Sequence, residues 1–196
     1  MKKMESKQQI RAALKRKREL LSLREAQQLS AKICENLQNQ SSFLQADTIY
    51  FYYPLNTEAN LLPLAEKALS MGKQIAFPRV NGTKMEFYQV NSLTEFTEGT
   101  FHVMEPTGQQ KICKKDPLVL VPGLTFDMQG RRMGYGKGYY DKYFARYPDC
   151  MKIGICYAMQ IIDEVPISQY DIPMDAVATE QGIYTKRQIN LPLSIT

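Results

Sequence analysis

The chain has almost none of the side chains that most often move protons or capture metals. Its 196 residues include one histidine, His102, which excludes any mechanism that needs two imidazoles. Flanked by Phe101 and Val103, that histidine reads as a packed strand residue with no catalytic role. The four cysteines (Cys34, Cys113, Cys150 and Cys156) form no CxxC pair and have no histidine partner, which argues against a zinc site or a disulfide framework. Cys150 and Cys156 lie in an apolar run, where a free thiol behaves as a small core residue. No apolar stretch reaches the roughly 20 residues that a membrane helix requires. The polar residues 1–6 lack the apolar core of a secretory signal, and Glu5, Glu19 and Glu25 are out of place in a transit peptide. A cytosolic protein is expected.

What remains is an ordinary globular composition, 44% apolar and 23% charged, and it suits one domain over residues 1–196. The net charge of +5 is partly concentrated in Lys15-Arg16-Lys17-Arg18. Such a run reads first as a solvated helix face and second as an attractor of polyanions, either nucleic acid or a polyanionic small molecule.

Ile10, Ala13, Leu14, Leu20 and Leu21 recur at helical spacing over residues 7–21. Ser22-Leu23-Arg24-Glu25 then has the form of a capping box, opening a second helix that buries Ala26, Leu29, Ile33 and Leu37. Residues 48–53 are β-branched and aromatic without alternation, which suits a strand buried on both faces. A loop through Pro54, Asn56 and Glu58 leads into a helix over residues 61–71, closed by Gly72. Residues 74–77 give a short strand stopped by Pro78, and residues 85–90 alternate as an edge or antiparallel strand does. Residues 91–116 read as irregular. Residues 118–121 are a continuous apolar run, the mark of a central parallel strand. A helix over 139–146, strands over 151–156 and 176–179, and one more at Ile183-Tyr184 complete the pattern. Strands alternating with helices predict a three-layer α/β fold. Its sheet is mostly parallel, with helices on both faces and two helices at the N-terminus.

The chemistry is concentrated in Gly130-Arg131-Arg132-Met133-Gly134-Tyr135-Gly136-Lys137-Gly138-Tyr139-Tyr140-Asp141. Alternating glycines let backbone N–H groups come close to a ligand, because no Cβ holds it off. Arg131, Arg132 and Lys137 mark that ligand as anionic, with phosphate the first candidate. Asp141 stands where it can take the magnesium that accompanies a nucleotide. The spacing fits neither a Walker A loop nor the Rossmann fingerprint. A bare GxGxG would read as a tight turn, but the fixed cations and the aspartate favour a phosphate-handling loop that feeds a helix. Arg132 and Lys137 are expected as surface groups of that loop. In open parallel sheets ligands gather at the carboxyl ends of the strands. Residues 53–58, residues 122–141 and the segment before Asp175 are expected to converge there.

Val121-Pro122-Gly123-Leu124-Thr125-Phe126-Asp127, followed by the glycine-rich segment, closely resembles the signature of the 5-formyltetrahydrofolate cyclo-ligases, also called 5,10-methenyltetrahydrofolate synthetases. The likeness extends over nearly the whole chain. It implies a compact three-layer α/β domain, ATP and Mg2+ as cofactors, and 5-formyltetrahydrofolate, with or without a polyglutamate tail, as substrate. The implied reaction passes the γ-phosphoryl group to the formyl oxygen, after which the folate N10 attacks the activated carbon and phosphate leaves. Lys7 and Arg11 resemble the family's N-terminal Lys-x-x-x-Arg, the lysine at ATP and the arginine between the two ligands. Arg132, Met133, Gly134, Tyr135, Gly136, Lys137, Gly138, Tyr139 and Tyr140 are implied to enclose the ATP phosphates. Residues 135–139 are implied to touch folate as well, and Lys137, Arg132 and Tyr140 to carry the catalysis. Asp141 and Asp175 are the implied magnesium ligands, Glu58 the carboxylate facing the pterin, and Tyr53 a second folate contact. Without the resemblance, Lys7 and Arg11 are solvated helix residues, Asp175 a turn residue, and Tyr53 an aromatic strand end in the core. Glu58-Ala59-Asn60-Leu61 stands where the family more often has Glu-Val-Asp-Thr.

Two rival readings compete with this one. A nucleic-acid-binding module would use the basic helix over residues 11–18 and stacking tyrosines. The tyrosines sit in no RNA-binding motif, so no nucleic-acid partner is expected, and no membrane either. The other rival is a diverged family member with another ATP-using substrate or a regulatory role. A monomer or weak homo-oligomer is expected.

Overall fold

Both N-terminal helices start where their serines place them. In the computed structural model, which describes residues 6–55 and 57–185, helix α1 spans Lys7–Glu19 and α2 spans Leu23–Gln38. Asn56 and the polar residues 1–5 lie outside the described residues. Ser6 accepts the Gln9 N–H while the Gln9 side chain accepts the Ser6 N–H, and Ser22 and Glu25 make the same reciprocal pair. Each box satisfies two of the orphan donors at a helix start. Next come the short helix α3 (Ser41–Gln45), strand β1 (Thr48–Tyr50), helix α4 (Leu62–Ser70), and strands β2 (Gln74–Asn81) and β3 (Lys84–Val90). A hairpin of β4 (Phe96–Glu98) and β5 (Met104–Pro106) precedes β6 (Leu118–Pro122). A smaller hairpin of β7 (Thr125–Phe126) and β8 (Arg132–Met133) leads into α5 (Tyr139–Arg146). The described chain closes with β9 (Met151–Ile155), β10 (Ala176–Thr179) and β11 (Gly182–Thr185).

Among the described residues the main sheet has seven strands in the order β11-β10-β9-β6-β1-β2-β3. The five inner strands run parallel, and the edges β3 and β11 are antiparallel. This is the expected α/β sheet, with β6 at its centre. Because side chains alternate along a strand, Ile49 and Tyr50 of β1 enter different cores. Ile49, Ile75 and Leu120 pack with Ile33 of α2, Phe43 of α3 and Leu64 of α4. Tyr50, Val119 and Val177 pack on the other face with Tyr143 and Phe144 of α5. Each such side chain, fully buried, contributes about 1.5–3 kcal/mol. No helix among the described residues is long and apolar enough to cross a membrane. Burial pushes the thiols of Cys34 and Cys150 up to about 11, which keeps both neutral and unreactive.

Four expectations need correction. Pro78 does not stop β2, which runs on to Asn81. The β1 ladder ends at the Tyr50–Ala76 pair, so at Pro78 the strand is paired with β3 alone, and a half-paired strand tolerates proline. Residues 91–116 are not wholly irregular, since they contain the β4–β5 hairpin, whose three-residue strands are too short to show a period. His102 is exposed in a 3-10 turn at the hairpin tip, with φ at 59° and its ring against Glu98, rather than packed in a strand. Finally, Arg18 is buried, so the basic run of α1 is not a uniformly solvated face.

The strand behind the glycine-rich segment depends on an aromatic ring held against the sheet. Phe126 is fully buried, and a Cβ built on Gly154 of β9 or on Gly123 would collide with its ring. Both glycines are therefore needed for space. Gly154→Ala is expected to lower stability by about 1–3 kcal/mol through overpacking, read as a fall in the thermal unfolding midpoint. An unchanged midpoint would show that the ring is free to move.

Candidate active site

Helix α1 lies across the carboxyl ends of the inner strands and meets the loops there through one stripe of side chains. Lys7, Arg11, Leu14 and Arg18 are four, three and four residues apart, which keeps them on one face of the helix. Lys7 Nζ is 3.0 Å from Asp171 Oδ2, and Arg11 Nε donates to the Gly134 carbonyl at 3.0 Å. Arg18 Nη2 donates to the Tyr135 hydroxyl at 2.9 Å, and its Nη1 is 3.6 Å from Glu58 Oε1. Three cations on this stripe, with Leu14 between Arg11 and Arg18, tie the helix to what lies beneath it.

The glycine-rich segment is fixed from below by Asp127, which is wholly buried. Its carboxylate accepts the backbone N–H groups of Gln129 at 2.9 Å, Arg131 at 3.0 Å and Val165 at 2.8 Å, and the Nε of Arg131 at 2.5 Å. A buried charge so fully satisfied is rigid, because any shift would strand it without partners. Arg131 is thereby committed to the hairpin. Beyond β8 the chain turns through Gly136 at φ 90° and Gly138 at φ 67°, a region that L side chains seldom adopt. Gly138 is the N-cap of α5 and brings no side-chain cap, and it lines the cavity together with the first residues of the helix. That end carries a partial positive charge suited to an anion.

These parts surround a cavity of about 440 Å3, within the usual range for small-molecule sites. Lys7, Arg11, Tyr53, Glu58 and all the residues from Arg132 to Asp141 line it. On one wall Arg132 Nη2 is 3.0 Å from Asp141 Oδ2, its Nη1 donates to the Pro122 carbonyl, and its guanidinium stands 5.3 Å from the Tyr140 ring centre. With its side chain only 7% exposed, Arg132 is not the surface group expected, because Asp141 and Tyr140 draw it inward. Lys137 is exposed at the tip of the loop. Burial raises the Tyr140 pKa, so its phenol stays neutral.

Glu58 sits on another wall with its side chain 5% exposed. Its Oε2 accepts the Leu55 N–H at 3.0 Å, and its Oε1 accepts the Tyr135 hydroxyl beside Arg18. Burial raises the Glu58 pKa above the usual carboxylate value, while Arg18, Tyr135 and the Leu55 N–H pull it back. Tyr53 lines the cavity and also tilts against Phe96 at 5.0 Å, so its ring serves both the wall and the core.

One expected partnership is not formed. Asp175 immediately precedes β10, at the end of the sheet opposite the cavity, and its Oδ2 accepts the Lys152 N–H at 2.7 Å. The structure does not bring it to Asp141, whose Oδ1 accepts the Ile172 N–H. No cluster of three or more metal-ligating side chains occurs among the described residues. Conversely, two cavity residues, Glu105 and Asp171, and Arg18 beside the cavity escaped sequence reasoning. Arg18 had a signal, its place seven residues beyond Arg11 on the same stripe. Glu105, buried with Oε1 on the Val80 N–H, lay in the segment read as irregular, and Asp171 had no local signal.

Residues 3–180 match the 5-formyltetrahydrofolate cyclo-ligase family. A probable 5-formyltetrahydrofolate cyclo-ligase of Caenorhabditis elegans is 30% identical over 90% of this chain and 93% of its own. One from Schizosaccharomyces pombe is also 30% identical, over 79% of this chain and 85% of its own. The solved structure of Aquifex aeolicus 5,10-methenyltetrahydrofolate synthetase superposes with a TM-score of 0.82 at 31% identity, covering 97% of this chain and 96% of the other. With this family's signature loop folded around a cavity of cations and buried carboxylates, the chain is an enzyme of the 5-formyltetrahydrofolate cyclo-ligase family.

Proposed function

We propose that the cavity holds ATP and 5-formyltetrahydrofolate together and uses the first to close a ring in the second. One observation carries this reading. An anion-ready wall, with the glycine loop, Arg132, Lys137 and the start of α5, shares one cavity with the buried carboxylate Glu58. The first wall suits the triphosphate, and a carboxylate suits the N–H donors of a pterin.

In the reaction, the formyl oxygen attacks the γ-phosphorus and ADP leaves, giving a phosphorylated iminium. The N10 lone pair then attacks the former formyl carbon. The carbon–oxygen bond breaks, phosphate departs with that oxygen, and the N10 proton is lost. The protein's share is to hold the two ligands in line and to neutralise the charge in transfer. Lys137 and the loop amides act on the transferring oxygens, with Arg132 held behind them by Asp141. Lys7 and Arg11 close the cavity from above, Arg11 between the two ligands, with Gly134–Gly138 and Tyr139 beneath. A nearly histidine-free chain suits a reaction with so little proton traffic.

Magnesium fits this site through Asp141 alone. The ion commonly uses one or two carboxylates and takes its other ligands from phosphate and water. Asp175, engaged by Lys152, has no part in the proposal. When bound, the ion adds neutralising charge at the phosphates. The site chemistry suits a cytosolic supply of ATP and reduced folate.

Phosphate release that requires both ATP and 5-formyltetrahydrofolate, with growth of the methenyl-folate absorbance, is the expected result. Phosphate release indifferent to the folate would contradict the reading. Lys137→Ala is expected to lower kcat/KM for ATP by roughly a hundredfold, with little change in the unfolding midpoint because the side chain is exposed. Equal losses of activity and stability would mark Lys137 as structural. Glu58→Gln is expected to raise the KM for 5-formyltetrahydrofolate about tenfold and to leave that for ATP nearly unchanged. The reverse pattern would remove Glu58 from the folate side.

A further inference from the structure

Arg18 is buried in α1, 3% exposed, although it ends a run of four basic residues that would be expected in water. Its neighbours follow that expectation: Lys15 pairs with Glu19 at the surface, and Lys17 reaches the Met159 carbonyl from an exposed position. Only Arg18 turns inward. Its Nε is buried with no hydrogen-bond partner among the described residues. Leaving a guanidinium donor unpaired out of water is unfavourable, so the rest of the group must be held for a reason.

Two contacts hold it. Nη2 donates to the Tyr135 hydroxyl at 2.9 Å, and Nη1 lies 3.6 Å from Glu58 Oε1. The same hydroxyl donates to Glu58 Oε1, so the three side chains close a triangle. Its corners come from separate parts of the fold: α1, the glycine loop, and the loop after β1. Tyr135 sits between Gly134 and Gly136, 45% exposed as a residue, while its hydroxyl lies against two nearly buried groups. The triangle therefore joins the phosphate wall of the cavity to the carboxylate wall.

We propose that Arg18 is a positioning residue, which keeps Glu58 ionised and aimed into the cavity and, through the Tyr135 hydroxyl, sets the glycine loop against it. This rests on the reading that Glu58 faces the folate. A carboxylate has about four acceptor sites. Arg18 and Tyr135 share Oε1, and the Leu55 N–H takes one site on Oε2, which leaves capacity for a ligand's N–H donors. The other titratable groups that act on Glu58 are phenols: Tyr135, Tyr52 beyond β1, Tyr140 of α5 and Tyr157 beyond β9. None brings a positive charge. Arg18 is the cation that acts on this carboxylate, against a burial that favours its protonated form.

Without Arg18, the Glu58 pKa rises further, and the ionised form is lost at a higher pH than in the wild type. The test is the pH dependence of kcat/KM for 5-formyltetrahydrofolate in the full-length wild type, Arg18→Met, Arg18→Lys and Tyr135→Phe, with kcat/KM for ATP measured alongside. Arg18→Met is expected to move the acid limb of the folate profile up by about one unit and to weaken folate use about tenfold at neutral pH. ATP use should fall less. Arg18→Lys, which keeps the charge, should bring the limb most of the way back. Tyr135→Phe, which removes one hydrogen bond to Oε1, should move the limb in the same direction by less. If Arg18→Met does not fold, Tyr135→Phe and Arg18→Lys still decide the question. An acid limb unmoved in Tyr135→Phe, or lost equally in Arg18→Lys and Arg18→Met, would overturn the proposal. Glu58→Gln separates the two failures. If it leaves folate use intact, the folate-side reading itself falls. If it weakens folate use while the Arg18 variants leave the limb in place, only the role of Arg18 falls.

Discussion

A carboxylate kept almost out of water stays charged only if the fold brings it a cation, and Glu58 imposes that condition on the rest of the site. Arg18 meets it, and to do so α1 must cross the carboxyl ends of the strands rather than pack on a face of the sheet like α2 and α4. The crossing then places Lys7 and Arg11 over the cavity with no further device, since they share the stripe that ends in Arg18. One buried ion pair therefore fixes the helix, and the helix roofs the site. Such pairs are weak contributors to net stability but costly to break from one side. That asymmetry suits a contact whose purpose is to fix direction.

The floor obeys a different rule, one of space and satisfied donors. Asp127 gathers three backbone N–H groups and Arg131, which makes the β7–β8 hairpin rigid. Phe126 fills the space left by Gly123 and Gly154 and anchors the hairpin to the sheet. Beyond that support the chain needs freedom rather than rigidity, and Gly136 and Gly138 supply it at positive φ. The result is a loop stiff at its base and open at its tip, where Lys137 stands at the start of α5. Preorganised amides and cations of this kind stabilise transferring phosphate without reorganising when the reaction occurs.

Much of this was legible in the sequence because it is written locally. Ser22 announced its helix through a capping box, residues 118–121 announced a central strand, and the glycine spacing announced the turn that feeds α5. What depends on distant partners was not legible. Arg18 looked solvated because its run of charge is local, while Glu58 and Tyr135, which bury it, lie 40 and 117 residues away. Asp171 answers Lys7 across 164 residues, and nothing near either one signals the pair. Asp175 was expected beside Asp141, yet its place just before β10 puts it at the far end of the sheet. Pro78 was read as a stop because the sequence does not tell where β1 ends beside it.

The account's central claim is that the folate's own formyl oxygen receives the phosphoryl group in this cavity. Substrate labelled with oxygen-18 at the formyl group tests this most directly, with the label followed into inorganic phosphate and water by mass spectrometry after turnover with ATP. The account predicts that each phosphate released carries one labelled oxygen. Unlabelled phosphate, with the oxygen-18 recovered in water, would contradict it.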